Sequence, residues 1–210
     1  MISIKTFVEG PVDANNYLVI DNKSNEAVLI DCSSAREEFI NEVKSTGCKL
    51  KYILLTHGHF DHILGINKFK ELFNTEIYVS KDDINQMNYA PQMLAMFTGK
   101  ASADVQIPNT NAVYDGDEFK IGDTKIKAIS TPGHTKGGMC YLIDKKLFSG
   151  DTLFQRSVGR CDLLDGDLDA IIKSVKEKLF ILPDDTEVYT GHGGKTTIGF
   201  EKKYNEILNL

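Results

Sequence analysis

The sequence has no long run of lysine or arginine, and acidic residues outnumber basic ones, 30 to 24, for a net charge of −6. That balance repels phosphate backbones and anionic lipid surfaces, so neither a nucleic acid nor a membrane is an expected partner. The nearest basic feature, the Lys202-Lys203 pair, reads as a solvated helix face. No apolar stretch approaches membrane-spanning length. The opening segment MISIKTFVEGPVDANNYLVI lacks a basic region followed by a long apolar one, so no signal peptide is expected. Cysteine is sparse. Cys32, Cys48, Cys140 and Cys161 form no C-x-x-C pair and neighbour no histidine at finger-like spacing. They read as small hydrophobes in a reducing compartment, and a cytoplasmic protein is the expectation. Histidine is nearly as sparse, with five in all, yet three of the five fall within six residues.

What is present is an ordinary globular composition, 41% hydrophobic and 26% charged over 210 residues. That length buries a sizeable core and predicts a single domain spanning residues 1–210. Apolar alternation and β-branched residues predict strands over 2–8, 17–21 and 27–31. Ser33-Ser34 offers a cap for a helix over 35–45, which Gly47 stops. Residues 51–55 form a short apolar strand that runs directly into the histidine cluster. A helix over 63–73 and a strand over 76–79 follow. Residues 81–109 concentrate methionine and aromatic side chains. They read either as short helices packed on the core or as an adaptable lid over a cleft. The second half repeats the pattern, with strands over 119–121, 125–130, 139–143 and 146–149. A helix over 168–180 ended by Pro183, a strand over 187–190 and a helix over 196–208 complete it. Two packed sheets with helices outside accommodate this order, an α/β class.

The chemistry concentrates in Thr56-His57-Gly58-His59-Phe60-Asp61-His62, with four metal-competent side chains in six residues. Imidazole nitrogen and carboxylate oxygen suit zinc, iron or manganese. On a loop leaving a strand, His57 and His59 can converge on one point while Asp61 and His62 turn towards a second, with Gly58 supplying backbone freedom. Such a string arises by chance in only a few of ~10,000 chains. Three isolated candidates share one setting, a strand end beside glycine. They are His134 in Thr131-Pro132-Gly133-His134-Thr135, Asp151 in Ser149-Gly150-Asp151-Thr152, and His192 in Thr190-Gly191-His192-Gly193. Asp31, at the end of the third strand, reads either as a partner behind a ligand or as a turn aspartate.

The order H-x-H-x-D-H, G-H-T, G-D-T-L-F, G-H-G resembles the metallo-β-lactamase superfamily, in particular its glyoxalase II-like (hydroxyacylglutathione hydrolase-like) short form. The resemblance implies a four-layer αβ/βα sandwich of two mixed sheets with a two-metal site at one edge. By position, it implies that His57, His59 and His134 hold one metal, that Asp61, His62 and His192 hold the other, and that Asp151 bridges them. Zinc is the expected metal, with iron or manganese accommodated. The implied activity is hydrolysis of a small acyl thioester by a hydroxide bridging the metals, with Asp61 and Asp151 catalytic. Full-length glyoxalase II enzymes carry a further helical domain that contacts glutathione, whereas only a short stretch follows His192 here. The same ligand string occurs in iron-dependent persulfide dioxygenases, which use one iron, and lactonases share the superfamily. Gly159-Arg160-Cys161-Asp162 resembles the G-R-T-D stretch of short glyoxalase II-like proteins. Arg160 is therefore a candidate grip on a substrate carboxylate, or else an ion-pair partner of Asp162. Lys136 is a weaker substrate-binding candidate, and Tyr141 is expected to pack in the sheet.

Overall fold

The computed structural model describes residues 1–99 and 107–209. The N-terminal alternation forms β1 (Ile2–Glu9), paired antiparallel with β2 (Ala14–Asp21), which pairs antiparallel with β3 (Glu26–Ile30). Every residue of β2 is buried. Side chains alternate along a strand, so its two faces serve two cores. Tyr17 and Val19 pack between the sheets, and Leu18 and Ile20 pack under helices.

Helix α1 (Glu37–Ser45) begins two residues later than expected, and Ser33-Ser34 do not cap it. The Ser33 amide donates to Asn16 Oδ1 and the Ser34 hydroxyl to the Glu9 carboxylate, which ties both to β1 and β2. The chain then returns as β4 (Lys49–Leu54), parallel to β3. The helix expected over 63–73 is two, α2 (Phe60–Ile63) and α3 (Ile66–Phe73), separated at Leu64-Gly65. Next come β5 (Glu76–Ser80), α4 (Ile84–Asn88), α5 (Ala90–Thr98) and β6 (Asn111–Val113). The first sheet runs β1-β2-β3-β4-β5-β6. Helices α4 and α5 are the short helices expected within 81–109. Residues 100–106 of that stretch lie outside the described residues.

A meander of β7 (Glu118–Ile121), β8 (Thr124–Ser130), β9 (Met139–Ile143) and β10 (Lys146–Gly150) opens the second sheet. A small ribbon, β11 (Leu153–Phe154) with β12 (Ser157–Val158), precedes α6 (Leu168–Ser174), which continues through a π-helical turn, Val175–Leu179. Strand β13 (Glu187–Thr190) pairs parallel with β10, and β14 (Thr196–Thr197) pairs antiparallel with β13. That last pairing takes two residues from the helix expected at 196, so α7 spans Ile198–Tyr204. The second sheet runs β14-β13-β10-β9-β8-β7.

Three apolar clusters hold these layers together. Phe39, Val43, Ile66 and Phe69 of α1 and α3 cover the first sheet. Val28, Leu54, Tyr141 and Phe148 fill the space between the sheets. Ile171, Val175 and Ile198 cover the second sheet. The result is the expected αβ/βα sandwich of two mixed sheets. Each fully buried side chain of this size contributes about 1.5–3 kcal/mol of transfer free energy. The four free cysteines form no disulfide, with Cys32 and Cys140 buried as small hydrophobes. No helix among the described residues is long and apolar enough to cross a membrane. The arrangement matters for function because β3, β4, β8, β10 and β13 all lead into loops at one edge of the sandwich.

Candidate metal centre

At that edge the strand ends deliver Asp31, the His57–His62 loop, His134, Asp151 and His192. Three groups of ligand-capable atoms lie within 4.8 Å of one another: His57, His59 and His134; Asp61, His62 and His192; and His57, His62 and Asp151. Asp151 spans the first two groups. Its Oδ1 is 3.5 Å from His62 Nε2, and its Oδ2 is 3.5 Å from His134 Nε2 and 3.7 Å from His192 Nε2. Gly191 makes this possible, because a Cβ there would lie 2.0 Å from Asp151 Oδ1.

The outward nitrogen of three rings is occupied, which aims the other one inward. Thr56 donates its single hydroxyl proton to Asp31 Oδ2, so its oxygen accepts from His57 Nδ1 at 3.0 Å. His62 Nδ1 donates to Asp31 Oδ2 at 2.8 Å, and His134 Nδ1 donates to the Arg160 carbonyl at 2.8 Å. This is the arrangement that orients ligating imidazoles. Asp31 is thus placed behind His62 and Thr56, and it caps no helix. It holds this position with φ at +61°, a conformation uncommon for a residue with a side chain. Asp61 Oδ2 accepts from His192 Nε2 at 3.1 Å.

Electrostatics divide the two trios. Burial, reinforced by neighbouring imidazoles, holds His57 well below the usual histidine range and His59 at about 3. Burial also opposes charge on His62, but the carboxylates of Asp31, Asp61 and Asp151 outweigh it and push that ring up to about 10. His192 is shifted upward against its burial by the hydrogen bond to Asp61. Asp61 is held well below the usual carboxylate range by His62 and His192, against its burial.

The residues fit a metal site on their own chemistry. His57 Nε2, His59 Nε2, His62 Nε2 and Asp151 Oδ1 are buried without a hydrogen-bond partner. Each such group costs roughly 1–3 kcal/mol, so four together within one cluster call for a ligand. Imidazole and carboxylate donors are the set that divalent zinc, iron and manganese accept.

Arg160 forks onto Asp162, with Nε to Oδ1 and Nη2 to Oδ2 both at 2.7 Å, while its side chain borders the cavity in front of the cluster. Lys136 is exposed and borders a separate surface hollow with Pro132, Gly133 and Asp167. Tyr141 is fully buried and donates to the Leu55 carbonyl.

Sequence reasoning passed over Thr56 and Asp83. Asp83 is 1% exposed and accepts from Gly58 N, Thr135 Oγ1 and Gly137 N at 2.7–2.9 Å. It clamps the His57–His62 loop to the His134 loop. Gly58, expected to supply backbone freedom, has no positive φ. It is required by close approach, since a Cβ would lie 2.8 Å from the Asp83 carbonyl. In Lys81-Asp82-Asp83 nothing local singles out the second aspartate for this role. The cavity in front of the cluster, about 480 Å³, is walled in part by Met93 and Phe97, from the methionine-rich and aromatic-rich stretch 81–109 that also reads as a cover over a cleft, whereas Phe154, Val158 and Leu163 carry no such signal.

Comparison with known proteins places these observations in a family. The model of the metallo-beta-lactamase superfamily matches residues 10–192. A protein of Aquifex aeolicus is 39% identical over 98% of this chain and 99% of its own length. The hydroxyacylglutathione hydrolase GloC of Haemophilus influenzae is 34% identical over 93% of this chain and 92% of its own. Among solved structures, the BLEG-1 B3 metallo-beta-lactamase superposes with a TM-score of 0.89 at 32% identity, covering 99% of this chain and all of its own. TTHA1623, solved in a di-iron-bound form, superposes with a TM-score of 0.85 at 31% identity, covering 96% and 98%.

Proposed function

This chain belongs to the metallo-beta-lactamase superfamily, and from that premise we propose that it is a dinuclear metallohydrolase acting on a small acyl thioester. In this reading His57, His59 and His134 hold one metal, Asp61, His62 and His192 hold the other, and Asp151 is shared. The observation that carries it is that donor atoms of each trio lie within 4.8 Å of one another, with His57 Nε2, His62 Nε2 and Asp151 Oδ1 buried and unpartnered among these residues. Likeness to a hydroxyacylglutathione hydrolase supports the thioester class.

When bound, two divalent cations, zinc in our reading, would acidify a water and polarise a carbonyl oxygen. The chain's own residues supply the rest. Asp61 stays ionised and, through its carboxylate, orients the attacking water as well as binding metal. Asp31, the Thr56 hydroxyl and the Arg160 carbonyl fix the ring orientations of His62, His57 and His134. All five histidines lie in the cluster, so none remains to serve as a separate general base. Attack forms a carbon–oxygen bond and breaks the carbon–sulfur bond. The departing thiolate needs little protonation, so no general acid is required.

The test is metal counting on protein prepared under zinc and under iron supply, joined to an assay panel. The panel holds S-lactoylglutathione, other acyl thioesters, a lactone, a β-lactam, and glutathione persulfide with oxygen uptake recorded. Thioester hydrolysis that peaks at two metals per chain is the expected result. Full hydrolysis with one metal, or oxygen consumption on persulfide with a single iron, would overturn it.

A further inference from the structure

The candidate metal centre forms only one wall of its cavity. Most of the rest is apolar: Phe60 of α2, Met93 and Phe97 of α5, Phe154, Val158 and Leu163 from the segment after β10, and Val12 between β1 and β2, with Ser157 and Arg160 the polar exceptions. They border a space of about 480 Å³, large enough for a bicyclic aromatic group. Phe97 is 44% exposed although its ring sits 5.5 Å from that of buried Phe60. An aromatic wall left open beside a reactive centre gains free energy when a ligand covers it.

Charge points the same way. Arg160 is the only lysine or arginine among the described residues that line the cavity. It is already forked by Asp162, with both side chains more than half exposed. Asp162 takes Nε and Nη2 of Arg160 and so already neutralises the guanidinium that a substrate carboxylate could reach only through Nη1. An added anion there would sit beside the Asp162 carboxylate and gain little. The protein's net charge of −6 further disfavours an anionic tail.

We propose that the cavity selects substrates whose body beyond the reacting carbonyl is uncharged and apolar, and that Phe97 and Met93 determine this preference. The inference rests on the hydrolase reading above, and it names the substrate class of that site. A thioester of an aryl-alkyl thiol fits it, whereas a thioester of an ionised peptide thiol such as glutathione does not.

The experiment uses the metal-loaded protein and two lactoyl thioesters, one of naphthylmethanethiol and one of glutathione. Two non-hydrolysable thioethers, methyl naphthylmethyl sulfide and S-methylglutathione, are titrated by calorimetry alongside. Wild type is expected to favour the naphthylmethyl substrate in kcat/KM by at least about tenfold, as pocket contacts of this size discriminate. Phe97→Ala and Met93→Ala should each erase most of that preference through KM, with kcat retained, and weaken thioether binding in parallel. Met96→Ala, on the same helix but 78% exposed and away from the cavity, serves as the control and should change neither. Equal or better turnover and tighter binding of the glutathione compounds would overturn the inference. So would a preference that survives both truncations. If neither thioester is hydrolysed but the naphthylmethyl thioether binds in a Phe97-dependent way, the hydrolase reading fails and the substrate-class inference stands.

Discussion

The two ends of the sandwich handle buried polar groups in opposite ways. They are separated by the length of β2, eight residues, or roughly 24 Å. At one end Asp21 and Glu26 are saturated. Asp21 accepts from the backbone of Lys23 and Ser24, from the Ser24 hydroxyl, and from Thr124 of the second sheet. Glu26 accepts from the Gly122 amide and pairs with Lys51. These acids lace the two sheets together. At the other end three imidazole nitrogens and a carboxylate oxygen are buried with nothing to bond. One fold and one solvent produce both ends, and carboxylates serve at each. Single hydroxyls such as Thr75 Oγ1 and Thr186 Oγ1, before β5 and β13, are also buried without a partner, so it is the concentration of unpartnered imidazole and carboxylate atoms in one cluster that marks the functional edge. Polar groups that close on one another stabilise the fold, and a cluster of polar groups that cannot do so is held for something else.

The sharpest way to break this contrast is Asp151→Ala. It removes the one carboxylate that reaches both trios. Activity and metal content should fall by more than the roughly 10–100-fold typical of losing a residue behind a ligand. The metal-free variant should lose far less stability than activity, because Asp151 Oδ1 makes no hydrogen bond in that fold and its contacts to His62, His134 and His192 are long, at 3.5–3.7 Å. Metal analysis and calorimetry on the apo proteins check both halves, and a large loss of apo stability would contradict the contrast.

Asp83→Ala is expected to have an intermediate effect, since Asp83 is saturated yet serves the ligand end. Burial outweighs its three donors and shifts its carboxyl upward. Removing it orphans Gly58 N and Gly137 N, at about 1–3 kcal/mol each. Loosening two ligand loops should also lower kcat by about 10–100-fold, as small misplacements do. Chemical denaturation and steady-state kinetics should therefore both move, unlike the single-sided effects at either end.

The smallest effect belongs to Asp21→Asn. Activity per folded molecule should be unchanged, and Tm should drop by a few degrees at neutral pH. The Ser24 amide, with the Thr124 hydroxyl behind it, holds the Asp21 carboxyl at about 2, against about 3.9 in an unfolded chain. The folded value is the lower one, so its stabilisation is present above about pH 4 and is lost as pH falls through about 2. The Tm deficit of the variant should accordingly vanish near pH 2. A deficit that persists there would show that Asp21 acts through packing and not through charge.

Much of the fold and of the candidate site was legible in the sequence. Strands were readable because alternation is local, and 139–143 and 187–190 match β9 and β13 residue for residue. Helix starts were less so. Ser33-Ser34 carries a capping signal, but tertiary partners on β1 and β2 recruit both hydroxyl-bearing residues first. Thr196-Thr197 read as the start of a helix until β13 offered a pairing edge. In each case a long-range hydrogen bond overrode a short-range preference.

The sequence by itself determined which side chains are available for chemistry. Five histidines and two aspartates stand in short strings after apolar strands, and a strand's end is set by nearby residues. Only the tertiary structure decided how they meet. His57 and His134 become neighbours because β4 and β8 lie in facing sheets that end at one edge. Asp31 backs His62, Asp83 clamps two loops, and Arg160 gives its guanidinium to Asp162 and its carbonyl to His134. None of these follows from any period or motif, because through-space distance depends on strand order and sheet packing. Local stereochemistry writes the list of donors, and the packing of two sheets converts that list into a site.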